Sequence, residues 1–198
     1  SGFGITDDGF AIGDPATHYA GSPWNPQTVP DSNPPNNVAA VYWYDFEVFY
    51  DQALNQGVSL ATAGPEVLVI EYDDIEPYGG GTPVMDFEIV MLRTPDNTPG
   101  YFEVVYAYDS VASTPSEATI GVENATGSAA VAKISNGDPS NLVVDGYMVC
   151  FDWQGPEVQQ AVITYEVTVD DDECGDLLIN TAYHNTDNPG SVEDSVSA

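Results

Sequence analysis

The stretch Pro35-Asn36-Asn37-Val38-Ala39-Ala40-Val41-Tyr42-Trp43-Tyr44-Asp45-Phe46 decides the fold. An Asn/Pro cluster breaks the chain, and aromatic, β-branched and small apolar residues then follow without a polar gap as far as Tyr44. An apolar run of this kind after a turn signal predicts a strand that is buried on both faces. We therefore expect a strand over Val38–Tyr50, in the middle of a sheet.

The rest of the chain also predicts strands and turns. The 198 residues include 12 Tyr, which favour strands. The 18 Gly and 15 Pro separate the strand-forming segments at short intervals. Asp7-Asp8-Gly9 predicts a hairpin turn and residues 14–37 a long loop, while Glu66–Tyr72 predicts a second buried strand and Asp73–Pro83 an acidic loop. No segment has the pattern of a helix longer than two turns. The sequence predicts an all-β protein.

The charge of the chain restricts its partners. Asp and Glu number 32, whereas Arg93 and Lys133 are the only basic residues, so the formal net charge is −30. Nucleic acid is excluded as a partner because no surface could neutralise phosphates. Anionic membranes are disfavoured, and no apolar run is long enough for membrane insertion. The carboxylates are either solvated and screened by salt or bound to divalent cations, and both interpretations stay open.

The two cysteines bear on the compartment. An acidic, strand-rich chain without a basic targeting segment suggests an extracellular or cell-surface protein, where Cys150 and Cys174 are expected to form a disulfide. Two free buried thiols are the alternative.

Several motifs in order resemble a β-sandwich domain that is common in secreted bacterial proteins and often attached to extracellular proteases and adhesins. They are Pro35–Asp45, Val69–Tyr72, Asp86–Met91, Ala118–Asn124 with Gly127, and Cys150–Asp152. The resemblance implies a β-sandwich of jelly-roll or immunoglobulin-like type over residues 1–155 and no active site. The chain departs from the pattern at Tyr44, where Asp is usual, and near Val67, where a basic residue is usual.

Residues 156–198 are predicted to form a strand-rich C-terminal extension. Thr164–Val169 and Asn180–Tyr183 are similar to the end of an immunoglobulin-like repeat of bacterial and archaeal surface proteins. In both resemblances the opening strands of the family pattern are missing, so we expect a neighbouring chain to supply a strand.

The sequence argues against an enzyme. It contains no nucleophile elbow, zinc-protease motif, phosphate loop or dinucleotide fingerprint. His18 and His184 are the only imidazole bases, and neither has a nucleophile beside it in the sequence. Carboxylates are too abundant for any pair to indicate a glycosidase.

Three groups of residues are candidates for binding or modification, each with a structural alternative. An acidic run could bind calcium or form a solvated turn, loop aromatics could stack on carbohydrate or anchor their loops, and the glycosylation sequon could instead be a structural turn. The acidic run comprises Asp170, Asp171, Asp172, Glu173 and Asp176; the aromatics are Tyr19, Trp24 and Tyr78; the sequon is Asn124-Ala125-Thr126. Asp7-Asp8, and Asp73-Asp74 with Glu76, are weaker acidic clusters.

The leading functional hypothesis is a non-enzymatic structural subunit of an extracellular fibre, joined to copies of itself head-to-tail by strand exchange. The polar, strand-like segment with Ser191, Val192 and Val196 is the candidate donor. Subunits of charge −30 repel one another, so assembly should depend on salt or calcium. The alternative hypothesis is a carbohydrate-binding or adhesin module, or an accessory domain of a larger secreted protein.

Overall fold

The structure is a computed structural model that describes residues 2–79, 84–93, 98–111, 117–137 and 143–153. The chain divides into two units, Ser1–Glu157 and Val158–Ala198, and all of the described residues belong to the first. The following predicted residues lie outside the described ranges: Asp170, Asp171, Asp172, Glu173, Cys174, Asp176, His184, Ser191, Val192 and Val196.

Almost all of the regular secondary structure in the described chain is β-strand. In chain order they are β1 Phe3–Ile5, β2 Phe10–Gly13, β3 Val38–Trp43, β4 Phe46–Glu47, β5 Gly57–Ala63, β6 Val67–Pro77, β7 Met85–Leu92, β8 Val104–Ser110, β9 Thr119–Glu123, β10 Ala130–Ile134 and β11 Tyr147–Phe151. A single helical turn, α1, spans Pro15–His18.

These strands form two antiparallel sheets that pack against each other, which confirms the predicted β-sandwich. Among the described residues, one sheet has five strands in the order β1-β2-β3-β9-β10. The other has the order β11-β8-β7-β6-β4, and β5 pairs with the first part of β6 beside β4. Apolar side chains from both sheets meet in the main core, among them Val41, Tyr42, Ile70, Phe87 and Ile120.

Strand β3 is central to the five-stranded sheet, as the sequence predicts, and all six of its residues are buried. Its alternation breaks at a β-bulge: Ala40 pairs with Gly121 and Trp43 with Thr119, so three steps along β3 match two along β9. Because of this extra residue, Val41 and Tyr42 both belong to the core between the sheets.

A second core covers the other face of this sheet. Trp43 packs there against Phe10, with ring centroids 4.9 Å apart, and Val29 from the long loop closes over them. The indole Nε1–H of Trp43 donates a hydrogen bond to the carbonyl oxygen of Pro23. The loop at residues 19–37 is thus fixed to the sheet by apolar packing and by a buried hydrogen bond.

Three buried tyrosines of the six-stranded sheet donate hydrogen bonds to main-chain carbonyl oxygens in the opposite layer. Their pKa values lie well above that of free tyrosine, chiefly because burial disfavours the phenolate, so the hydroxyls stay protonated as donors. The pairs are Tyr72 to Thr6 at 2.9 Å, Tyr106 to Gly121 at 2.8 Å and Tyr108 to Val41 at 2.6 Å.

Two predicted boundaries are wrong. The strand expected over Val38–Tyr50 ends at Trp43, and β4 then joins the other sheet because the chain turns at Tyr44 and Asp45. The segment expected to be an acidic loop from Asp73 continues β6 as far as Pro77, because Ile75 is buried and pairs with Met85 beyond a second register shift.

Gly9 offers a test of the turn between β1 and β2. It has φ +72°, and a Cβ there would overlap the carbonyl oxygen of Tyr42, whereas Gly64 has the same φ and open space around it. We expect Gly64→Ala to cost about 1 kcal/mol for the left-handed backbone alone and Gly9→Ala about 3 kcal/mol or more, because the β3 backbone must also move. Equal losses in urea unfolding would contradict this assignment.

Candidate functional site

The structure brings the three predicted loop aromatics together. Tyr19, Trp24 and Tyr78 line one hollow of about 620 Å³, and their exposed fractions are 45%, 52% and 68%. The remaining lining residues are Asp7, Asp8, Pro23, Asp45, Phe46, Glu47 and Val48. We call this site the aromatic hollow. Among the described residues, none of its three exposed rings stacks on another aromatic ring.

The long loop supplies two of these rings. Trp24 follows Pro23, whose carbonyl oxygen accepts the buried Trp43 indole N–H. Tyr19 caps the C-terminal end of α1, and its N–H donates to the carbonyl oxygen of Pro15 at 3.0 Å. The aromatic hollow therefore depends on β3, because Trp43 of that strand fixes the residue before Trp24.

The third ring and two carboxylates lie where β4 pairs with the end of β6. Phe46 of β4 pairs with Pro77 at the end of β6, and the N–H of Tyr78 donates to the carbonyl oxygen of Asp45 at 2.9 Å. Phe46 is buried and packs edge-on against Tyr44, with ring centroids 5.5 Å apart. This pairing places Tyr78 beside Asp45 and Glu47 at the hollow.

Asp7 and Asp8 reach the same hollow from the predicted hairpin turn between β1 and β2. The carbonyl oxygen of Asp8 accepts the N–H of Tyr44 at 3.2 Å, so the turn is held against the end of β3. Asp8 is only 5% exposed. The sequence marks Asp7-Asp8 as a weak acidic cluster, whereas Asp45 and Glu47 are missed because they lie within the predicted strand.

Electrostatics in the aromatic hollow disfavour negative charge. Burial raises the pKa of Asp8 to about 7, and the charges of Asp7 and Asp45 add to the rise, against a hydrogen bond from the N–H of Phe46. The pKa of Asp45 is also raised, first by burial and then by Asp7 and Glu47. The pKa of the Tyr19 phenol is raised by burial and by Asp8 and Asp7.

A second acidic cluster lies at the register shift in β6. Carboxylate oxygens of Asp73, Asp74 and Asp86 lie within 4.8 Å of one another. Asp86 accepts the N–H of Asp74 at 2.7 Å, and Asp74 has φ 52°, so one carboxylate supports a left-handed residue. The pKa of Asp86 is raised, first by burial. The sequence marks Asp73-Asp74 with Glu76, whereas the structure groups the two aspartates with Asp86, which is distant in the chain.

The remaining predicted residues lie apart from the aromatic hollow. Cys150 is exposed on β11 and forms no disulfide with any described residue, and the bridge to Cys174 stays a prediction. Asn124 is exposed in the β9–β10 turn, where its Oδ1 accepts the N–H of Ser128 at 3.0 Å. This bond supports the turn interpretation, while glycosylation also stays a prediction. His18, at the end of α1, is half-buried.

No family model matches the chain, and neither the curated proteins nor the solved structures give a match. The resemblance to secreted bacterial β-sandwich domains therefore stays a prediction. Within the described ranges, no helix is both long and apolar enough to cross a membrane.

The raised pKa of Asp8 predicts how its replacement affects stability. Between pH 4 and pH 7 the folded chain keeps this proton while the unfolded chain loses it, so the Asp8 contribution to stability falls as pH rises. We expect Asp8→Asn to stabilise the protein on the order of 1 kcal/mol more at pH 7.5 than at pH 4.5, with solvent screening included.

The measurement is urea unfolding at both pH values, with Glu117→Gln as a control that removes one negative charge at an exposed residue before β9. The assignment fails if the two variants show the same pH dependence.

Proposed function

We propose that this protein is a non-enzymatic, extracellular β-sandwich module that binds carbohydrate at the aromatic hollow. The observation that carries the proposal is the convergence of Tyr19 and Trp24, from the long loop before β3, and Tyr78, from the end of β6, on one concave surface. Exposed rings that meet in a hollow without stacking on one another are free to contact a ligand.

The chemistry of the lining suits a sugar. Aromatic faces bury the apolar C–H faces of a sugar ring, and the carboxylates of Asp45 and Glu47 can accept hydrogen bonds from its hydroxyl groups. The volume of about 620 Å³ falls within the range of small-molecule sites, about 300–1,000 Å³. Phe46 supplies an apolar floor.

An extracellular location is supported by the resemblance to secreted bacterial domains. The formal charge of −30 favours solubility, which suits a secreted module.

Replacement of Trp24 tests the carbohydrate site. A glycan array identifies the best ligand of the wild-type protein, and titration calorimetry then compares Trp24→Ala with wild type. We expect a loss of affinity of about tenfold, because one stacking face is removed. Trp153→Ala is the matched control, since Trp153 is 50% exposed and does not line the aromatic hollow. A wild-type protein that binds no glycan, or equal losses in both variants, would refute the proposal.

The free edge of β1 supports a second candidate function, a fibre subunit assembled by strand addition. The N–H of Asp14 donates to the carbonyl oxygen of Gly2 and that of Thr6 to Phe10. In an antiparallel pair the alternate residues, Phe3 and Ile5, then direct their main-chain groups away from β2. Within the described residues, β1 pairs only with β2.

An apolar hollow lies beside that edge. Its volume is about 340 Å³, and Ile5, Val48, Val58 and Leu60 line it together with Thr6, Asp7 and Ser59. An added strand would pair with β1 and place an apolar side chain in this space. We propose that its source is the segment with Ser191, Val192 and Val196 of a second copy.

Proline at the edge tests strand addition. Phe3→Pro removes an outward N–H at the first residue of β1, a position that tolerates proline, and leaves the bonds to β2 intact. We expect filaments of the wild-type protein to be lost in this variant, seen by negative-stain microscopy and sedimentation. Ala132→Pro, on the opposite edge strand β10, is the control. A monomeric wild type, or filaments that survive Phe3→Pro, would exclude this function.

A further inference from the structure

The lining of the aromatic hollow has an unbalanced charge. Asp7, Asp8, Asp45 and Glu47 are four of its ten lining residues. Neither of the chain's two basic residues, Arg93 and Lys133, is among them. A neutral sugar would use the rings but would leave this charge uncompensated.

The position of the carboxylates makes that charge costly. Asp8 is almost fully buried, and Asp7, Asp45 and Glu47 approach it from the β1–β2 turn, the β3–β4 connection and β4. The raised pKa values of Asp8 and Asp45 have burial as their first cause and the neighbouring carboxylates as the next. A positive charge bound among these groups would remove the repulsion between them.

The aromatic rings indicate which kind of cation would bind in the hollow. A calcium ion takes oxygen ligands and gains nothing from Tyr19, Trp24 and Tyr78. An ammonium or quaternary ammonium group is attracted both by the faces of aromatic rings and by carboxylates. Rings and carboxylates in one hollow therefore fit an organic cation better than a metal ion or a neutral sugar.

We propose that the ligand of the aromatic hollow carries a positively charged nitrogen, which Trp24, Tyr19 and Tyr78 surround and the four carboxylates neutralise. This inference rests on the proposed binding function and narrows its ligand class. An amine-bearing glycan and a quaternary ammonium headgroup share this chemistry.

Proton linkage separates a cationic ligand from a neutral one. The titratable groups that interact with Asp8 are Asp7, Asp45 and the phenols of Tyr19 and Tyr72. Glu47 lines the same hollow, and none of these groups supplies a positive charge. A fixed cation favours the ionised form of Asp8, so its affinity rises as pH increases through 7 and binding releases protons. A neutral sugar has no such preference.

The test is titration calorimetry of the full chain with four probes. They are tetramethylammonium and choline, whose charge is independent of pH, a glucosamine oligosaccharide with free amines, and its fully N-acetylated, neutral counterpart. We expect the free-amine oligosaccharide to bind about tenfold more tightly than the acetylated one at pH 6. We expect the affinity for choline to rise several-fold from pH 5.5 to pH 8.

Substitutions distinguish binding at the aromatic hollow from the general attraction of an acidic protein for cations. Trp24→Ala and Asp45→Asn should each weaken choline binding about fivefold. Trp153→Ala and the charge-matched Asp109→Asn should change it less than twofold. If Asp109→Asn weakens binding as much as Asp45→Asn, the attraction is non-specific and the inference fails.

The remaining outcomes distinguish the two proposals. Equal or tighter binding of the acetylated oligosaccharide would refute the inference that the ligand is positively charged. The proposed carbohydrate binding would then still stand. Choline binding that depends on Trp24, without binding of either oligosaccharide, supports the cation site, and the glycan array then decides whether carbohydrate is also a ligand. If none of the four probes binds, the inference fails, and the glycan array alone then decides the proposed function.

Discussion

The hydrogen bond from the Trp43 indole to the carbonyl oxygen of Pro23 links the parts of this structure. A buried indole N–H without an acceptor is costly, so the long loop must pass over the sheet where Pro23 can accept it. The same contact places Trp24, the next residue, at the rim of the aromatic hollow. One hydrogen bond thus satisfies the buried Trp43 of β3 and also fixes the position of the exposed Trp24.

The β-bulge in β3 also determines which core each of the neighbouring side chains enters. The extra residue sends Val41 and Tyr42 to the core between the sheets and returns Trp43 to the opposite face. Without it, the strict alternation of a strand would point Trp43 into the main core and away from the loop. The carbonyl oxygen of Val41, at the irregular pairing, accepts the hydroxyl of Tyr108. The two layers and the loop are therefore positioned by one irregularity.

Local pattern predicts much of this fold and only part of the site. The strand at Val38–Trp43 and the Asp7-Asp8-Gly9 turn can be predicted because each depends on residues that are adjacent in the sequence. The bulge leaves no trace in an uninterrupted apolar run, because every position of that run is buried. Pairing of β4 with the end of β6 brings Tyr78 to the hollow that Trp24 lines, and no spacing in the sequence encodes that register. Asp45 was missed for the same reason: its role appears only once β4 leaves the sheet of β3.

The three tyrosine hydroxyls that cross between the sheets also have a mechanical consequence. Each connects a side chain of one layer to the main chain of the other. Hydrophobic attraction has no preferred direction, whereas a hydrogen bond has a preferred geometry. A displacement of one layer along the other must therefore distort or break these bonds in addition to disturbing the packed core.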